Sequence, residues 1–326
     1  MSRTHATVHV PGSTSNLGSG FDCIGIAVDL WLTASVTIDR GAHGVTITRS
    51  GTLTSVQLDA AEDLIVVGYA AACARAGCDV PGALAFTAGS AIPVARGLGS
   101  SAAALVAGAA LADETLELGL GRHGIATLVS QIEGHPDNAS PCTFGGAMLG
   151  VANDDALGDR PLTYAISPIP VHASLAFVYA IPPLEVTTAA ARAVLPEMVP
   201  FADAVRALQR SVALAQGLSS GEPALLARAL DDVLHVPYRR HLVPGYDAVV
   251  HAAREAGAFG ATLSGSGSAL VAVTTRSETE AVAVAMQRAF GEHGLACETL
   301  VMAGAVPGLR VEPEVARNPP PAARVR

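Results

Sequence analysis

Residues 93–103 read PVARGLGSSAA. Pro93, Val94, Ala95 and Arg96 lead into a flexible turn, Gly97-Leu98-Gly99. Ser100, Ser101, Ala102 and Ala103 then open an alanine-rich run to Leu111 that predicts a helix. Glycine accepts backbone conformations that other residues resist, and it lets a ligand come close to the main chain. Serine favours the helix N-cap, beside first-turn N–H groups that have no partner within the helix. Donors and the positive end of the helix dipole then converge on one spot, which makes an anion site. Glycine and serine alone fit an ordinary loop-to-helix junction equally well, so the remainder of the chain has to choose.

The chain has 326 residues, 50% of them hydrophobic and 15% charged, enough for about two domains with a substantial core. No uninterrupted apolar stretch approaches the ~20 residues that span a bilayer. The opening MSRTHATVHV alternates like a strand and lacks the apolar core of a signal peptide. A cytoplasmic protein with no membrane partner is the expectation. A net charge of −9 argues against nucleic acid as a partner, which would call for a basic footprint. The chain has no lysine. That removes a lysine Schiff base and the P-loop signature. Phosphate at the 93–103 loop would have to be met by backbone N–H groups, serine hydroxyls, a metal or arginine. The cysteines (Cys23, Cys73, Cys78, Cys142, Cys297) are dispersed with no C-x-x-C pair and read as small buried residues.

Along the chain, 5–10 predicts a strand and 11–22 (PGSTSNLGSGFD) a long polar loop of the functional kind. Residues 34–39 and 43–48 read as strands joined in a hairpin by Arg40-Gly41-Ala42. Helices are predicted over 62–77, 101–113 and 123–133, a strand over 83–89, and a turn over 135–139. The polar stretch 153–162 is the candidate domain boundary, or a surface hairpin near it. Beyond it come strands at 173–180, 269–274 and 296–302, with helices at 187–194, 200–216, 222–232, 245–256 and 277–292. The proline-rich 318–326 predicts disorder.

Four polar clusters stand out: Asn16 with Asp22; the 93–103 loop; Glu133 with His135, Asp137 and Asn138; and Ser264 to Ser268, SGSGS. Singly, each has a bland reading as turn formers or solvated residues. Together they suit phosphoryl transfer, which asks for a phosphate cradle, a divalent metal and a positioned hydroxyl acceptor. Magnesium takes few protein ligands, and Glu133 with Ser100 or Ser101 would suffice. Asp22 and Asn138 are then free to hold a polar acceptor.

These motifs, in this order, resemble the GHMP-type small-molecule kinases. PVARGLGSSAA is similar to the superfamily's phosphate loop and GATLSGSGSALVAV (260–273) to its third, glycine-rich motif. PGSTSNLGSGFDCIG (11–25), EGHPDNASP (133–141), EVTTAAARAVLP (185–196) and HVPYRRHLVPG (235–245) narrow the resemblance to the homoserine kinase family. Ser19 stands where that family usually has proline, and Asp63 where asparagine is commoner at the adenine contact. His235 and Arg240 read as incidental.

The resemblance implies an α/β (α+β) fold in two domains. Residues 1–160 would form a mixed domain that binds ATP, residues 161–310 a ferredoxin-like domain, and 311–326 a disordered tail. It implies ATP and L-homoserine as substrates, Mg2+, and a homodimer. Asn16, Asp22, Asn138, Thr188, Arg192 and Arg239 would bind the amino acid. Asp22 suits its ammonium, and the guanidiniums suit its carboxylate. Asn138 and Arg192 are the candidate catalytic residues. Asp137 is a candidate base, although direct attack by a positioned hydroxyl would need none. The product would be O-phospho-L-homoserine, for threonine synthesis. The rivals are a GHMP kinase with a mevalonate-type acceptor, which would leave Asp22 without a role, and a non-catalytic regulatory protein on the same fold. A dinucleotide-binding oxidoreductase is discounted, because no G-x-G-x-x-G sits between a strand and a helix.

Overall fold

A computed structural model describes residues 4–39, 43–153 and 162–313. The first strands are β1 (His5–Asn16), β2 (Gly20–Ile38) and β3 (Gly44–Gly51). Then come α1 (Leu64–Ala76), β4 (Ala83–Ser90), α2 (Ser100–Leu116), α3 (Gly121–Glu133) and α4 (Ala139–Phe144). β5 (Ala147–Asn153), β6 (Thr163–Ile169) and β7 (Leu175–Ile181) follow. The next helices are α5 (Thr188–Ala193), α6 (Phe201–Ser220), α7 (Pro223–Ala229), α8 (Val236–Arg239) and α9 (Tyr246–Glu255). The chain continues through β8 (Gly260–Leu263), β9 (Leu270–Thr275), α10 (Thr279–Glu292), β10 (Glu298–Met302) and β11 (Arg310–Val311).

The first sheet runs β11-β1-β2-β4-β3, and β5 with β6 joins it along the early part of the long strand β2. The predicted hairpin between 34–39 and 43–48 does not form. β4 lies between those two strands, and β3 pairs with β4 in parallel. Parallel neighbours need a crossover, and α1 supplies it. The predicted loop at 11–22 is also largely strand. Gly12 to Asn16 continue β1 in register with β2, with irregularities at Pro11/Gly12 and Ser15/Asn16. The hydroxyls that suggested a loop are buried and find hydrogen-bond partners inside the molecule. The predicted turn at 135–139 runs directly into α4.

Helix α2 is buried along nearly its whole length. Its alanines and its one glycine let α1 approach closely: a Cβ on Gly108 would come within 1.9 Å of the Ile65 carbonyl oxygen. Asp63 caps α1 by accepting from the Ile65 N–H at 2.9 Å. Gly134 ends α3 in the left-handed conformation, φ 84°. Among the described residues, no helix is long and apolar enough to cross a membrane.

The second sheet runs β10-β7-β9-β8, all antiparallel. With α9 between β7 and β8, and α10 between β9 and β10, this is the ferredoxin-like arrangement. The strands alternate between two cores. Val178, Ala180 and Ala272 face α9 and α10, whereas Phe177, Tyr179 and Val271 join the core of the first domain with Leu214 and Leu218 of α6. Burial on both faces explains why β7 and β9 read as continuous apolar runs.

β6 pairs with β5 inside the first sheet, so a division at 160 cuts a hairpin, and the first sheet extends to Ile169. Residues 154–161 lie outside the described residues. β11 returns to pair with β1, so Arg310–Val311 belong to the first sheet and not to a tail. The expected disorder at 318–326 falls outside the described residues.

Candidate active site

Three of the predicted polar clusters meet through main chain. The Ser13 N–H donates to the Leu98 carbonyl at 3.0 Å and the Ala269 N–H to the Arg96 carbonyl at 3.1 Å. The Gly265 N–H donates to the Ser15 carbonyl at 3.0 Å, and the Ser264 hydroxyl reaches the Gly97 carbonyl at 2.7 Å. The 93–103 loop therefore lies clamped between β1 and the glycine-rich turn before β9. A Cβ on Gly97 would sit 1.9 Å from the Ser264 carbonyl oxygen, and one on Gly99 2.1 Å from the Ser13 hydroxyl. Ala95, Gly97 and Gly99 all have positive φ (54°, 74° and 69°). Alternating backbone handedness turns successive N–H groups inward, and α2 begins at Ser100 with no side-chain cap on its first N–H groups. This is the anion cradle.

The cradle opens on a cavity of about 530 Å³. Leu53, Val56, Ile65, Leu105 and Ile132 line it as an apolar slot that sequence reasoning did not find. Asp63 lines it too, already committed to Arg49 (2.9 Å) and to capping α1. Its polar lining includes Asn16, Asp22, Glu133, His135, Asp137, Asn138, Thr188, Arg192 and Arg239. All the predicted acceptor-binding residues thus line one cavity with the cradle.

Their partners differ from expectation in three places. Asn16 spends its side chain on the fold: its Nδ2 donates to the Gly265 carbonyl at 3.0 Å, and its Oδ1 accepts from the Asp22 N–H at 3.0 Å. Asp22 and Arg192 hold each other in a two-pronged pair, 2.9 and 3.2 Å, each about one-third exposed to the cavity. Asp137 Oδ1 accepts from His135 Nδ1, and the pairing with Asp137 raises the His135 pKa to about 9 against the penalty of burial. Asp137 Oδ2 is buried with no partner.

Asn138 is held against β1, accepting from the Ser13 hydroxyl at 2.9 Å and donating to Ser15 Oγ at 3.1 Å. Ser101 Oγ donates to Glu133 Oε1 at 2.8 Å, while Glu133 Oε2 is buried with no partner. Burial pushes the Glu133 carboxyl up to about 7. Single ligand atoms of Asp22, His135 and Asp137 lie within 4.8 Å of one another, a hole sized for a cation.

Arg239 is 2% exposed and has no carboxylate in ion-pair range among the described residues. Its Nε donates to the Ala191 carbonyl at 3.0 Å, and its guanidinium lies 5.0 Å from the centre of the Phe21 ring. His235 is not incidental. It is fully buried, stacks on Phe21 at 4.8 Å and contacts Arg239. Arg240 turns outward to Asp247 at 3.1 Å.

The chain is similar to known proteins. Residues 64–146 match the family model of the GHMP kinases N terminal domain, and 206–293 that of the GHMP kinases C terminal. Homoserine kinase of Thermus thermophilus is 39% identical over 295 residues, spanning 90% of this chain and 94% of that protein. Homoserine kinase of a Synechococcus species is 37% identical over 311 residues, 94% and 98% of the two chains. The crystal structure of homoserine kinase from Cytophaga hutchinsonii superposes with a TM-score of 0.82 at 27% identity, covering 95% and 98%. Mevalonate kinase of L. major shares the fold at a TM-score of 0.67 and 16% identity, covering 92% and 98%. With 37–39% identity over more than nine-tenths of such relatives' length, the chain belongs to the homoserine kinase family of the GHMP kinases.

Proposed function

We propose that this chain transfers the γ-phosphoryl group of ATP to the side-chain hydroxyl of L-homoserine, giving O-phospho-L-homoserine. The observation that carries the reading is the charge layout of one cavity. Buried Arg239, with no carboxylate in ion-pair range among the described residues, shares one cavity with Asp22 and Asp137, whose oxygens lie close enough together to meet a cation, next to the anion cradle. That is a receptor for a zwitterion beside a receptor for phosphates. A mevalonate-type acceptor has no ammonium to set between Asp22 and Asp137.

In this reading the apolar slot takes the adenine, and the 95–101 backbone takes the phosphates. The ammonium sits between Asp22 and Asp137. The carboxylate takes the free edge of Arg239 and shares Arg192 with Asp22, and Thr188 lies alongside. The residues present fit a magnesium ion, because Glu133 Oε2 is a buried acceptor without a donor and Ser101 Oγ lies at its neighbouring oxygen. Glu133 and Ser101 would hold it, and when bound it would neutralise charge on the β- and γ-phosphates. Asn138, fixed by Ser13 and Ser15, has a second amide hydrogen to orient the attacking hydroxyl. A loose transition state asks little of a base, so the hydroxyl proton would pass late to a non-bridging oxygen of the transferred phosphoryl group while Asp137 stays paired with His135.

An ATP-consumption assay over L-homoserine, its amino-alcohol homologues, mevalonate and sugars tests the reading. Turnover should require both the ammonium and the carboxylate of the acceptor. Turnover of mevalonate with none of homoserine would overturn it. The homodimer implied by the resemblance is supported by the exposed apolar face of α6, Phe201, Leu208 and Val212, and light scattering of the purified chain tests it.

A further inference from the structure

His235 lies behind the cavity wall, fully buried and out of reach of any ligand. Its two ring nitrogens face groups of opposite kind. Nε2 is 2.9 Å from the Gly18 carbonyl oxygen. A carbonyl can only accept, so Nε2 carries the hydrogen. Nδ1 is 3.4 Å from Arg239 NH1. A guanidinium can only donate, so Nδ1 presents its lone pair. The ring is therefore a neutral imidazole in the Nε2–H form. Asp232 does not compete for that hydrogen. Its Oδ2 is 3.8 Å away and already accepts from the N–H groups of Leu234, His235 and Val236 at 2.7–2.9 Å. Burial holds the imidazole below its usual pKa, in keeping with the neutral ring.

The consequence falls on Arg239. Its Nε is fixed by the Ala191 carbonyl, its NH1 by His235, and its face by Phe21, which stacks on the same imidazole. Three constraints from three elements leave one orientation, with the unclaimed edge of the guanidinium turned to the cavity.

We propose that His235 is a positioning residue for acceptor binding: its Nδ1 lone pair orients Arg239 for the substrate carboxylate. This rests on the acceptor reading given above. The role differs from that of a packing residue, because it depends on one lone pair rather than on the ring's volume or stacking.

Two substitutions separate the possibilities. His235→Phe keeps the ring and its stack on Phe21 but has no acceptor. His235→Asn loses the stack but places an amide oxygen near the position of Nδ1. In steady-state kinetics, His235→Phe should raise the homoserine KM by ~10- to 100-fold, the scale of one hydrogen bond to a charged group, and leave the ATP KM within about twofold. His235→Asn should restore most of the homoserine KM. In ¹⁵N NMR of the full-length wild-type protein, His235 should show the Nε2–H tautomer with an unprotonated Nδ1.

Equal homoserine KM values for the two variants would overturn the proposal, as would matching shifts in the ATP KM or an imidazolium spectrum. If His235→Phe fails to fold, the His235→Asn kinetics and the spectrum still decide. Wild-type protein that turns over other acceptors but no homoserine would sink the acceptor reading, and the spectrum would still test the hydrogen bond to Arg239 separately.

Discussion

Replacing Arg239 with methionine should separate binding from folding. Methionine keeps much of the side chain's length and removes the guanidinium. Two charge-assisted hydrogen bonds to the acceptor carboxylate would be lost, about 3–5 kcal/mol in all, a factor of about 10²–10⁴ in kcat/KM for homoserine. The KM for ATP should hold within about twofold, because the cradle is built from other residues. The effect on stability has the opposite sign. In the free protein Arg239 is a buried cation with no carboxylate in ion-pair range among the described residues, and burying a charge costs several kcal/mol. Against that, its removal strands the acceptors on Ala191 and His235, at about 1–3 kcal/mol each. The two nearly cancel, so the variant should melt within a few degrees of wild type while its catalytic efficiency collapses. Steady-state kinetics with each substrate varied in turn, together with a thermal melt of the ligand-free protein, provide the check. A large fall in Tm, or equal losses for homoserine and ATP, would refute the reasoning and make Arg239 a structural residue.

Three further outcomes follow from the same geometry. Glu133→Gln should lower kcat by ~100-fold or more and shift the magnesium dependence to higher concentration; a wild-type magnesium profile would mean the ligand lies elsewhere. Gly97→Ala would force a Cβ to 1.9 Å from the Ser264 carbonyl at a φ of 74°. It should destabilise by ~2–4 kcal/mol and weaken ATP more than homoserine, and a wild-type melt would show the clamp to be loose. His235 is held below its ordinary value of 6.5 by burial, and Arg239 adds to that effect while Asp232, Asp22 and the Gly18 carbonyl oppose it. The unfolded chain therefore binds the proton more readily. This contribution to stability is complete above pH 6.5 and is lost as the pH falls below it. Melts from pH 8 to pH 5 should steepen in that window, and His235→Phe should flatten the slope.

Helices were legible wherever their end signals were local. Gly134 closes α3, Asp63 opens α1, and the alanines after Ser101 need no distant partner to suggest a helix. Strand pairing was less legible. The segments 34–39 and 43–48 look like a hairpin because they are adjacent in sequence, but β4 separates them and comes from almost forty residues further on. Ser13, Thr14 and Ser15 looked like loop residues because hydroxyls are usually solvated. Here they are buried donors and acceptors for Asn138 and Ser264, residues more than a hundred positions away. In the candidate site, residue types and order announced the cradle, Glu133 and Asp22, whereas Arg192 and Arg239 entered only through the family resemblance. The pairing of Asp22 with Arg192, across 170 positions, could not be read from spacing. Nor could the role of His235, whose neighbours Gly18 and Phe21 lie at the far end of the sequence. The apolar wall of the cavity left no motif, since Leu53, Ile65 and Ile132 look like any other apolar residues until the fold gathers them.

The return of the chain to the first sheet bears on protein engineering. The Glu312 N–H donates to the Thr7 carbonyl at 3.0 Å, and Val311 sits opposite Val8. The two ends of the described chain therefore lie side by side on one edge of one sheet. A few flexible residues could join residue 4 to residue 313 without crossing either core, and new termini could be opened in an exposed turn elsewhere. The second sheet is then a cassette entered after Ile169 and left after Met302, joined covalently to its host at those two crossings and packed against it through Phe177, Tyr179 and Val271. Exchanging that cassette between relatives would carry Thr188, Arg192 and Arg239 across together while the cradle, Glu133 and Asp22 stayed behind. On the proposed reading acceptor recognition is divided between host and insert, and a cassette swap would have to match Arg192 to the Asp22 it meets.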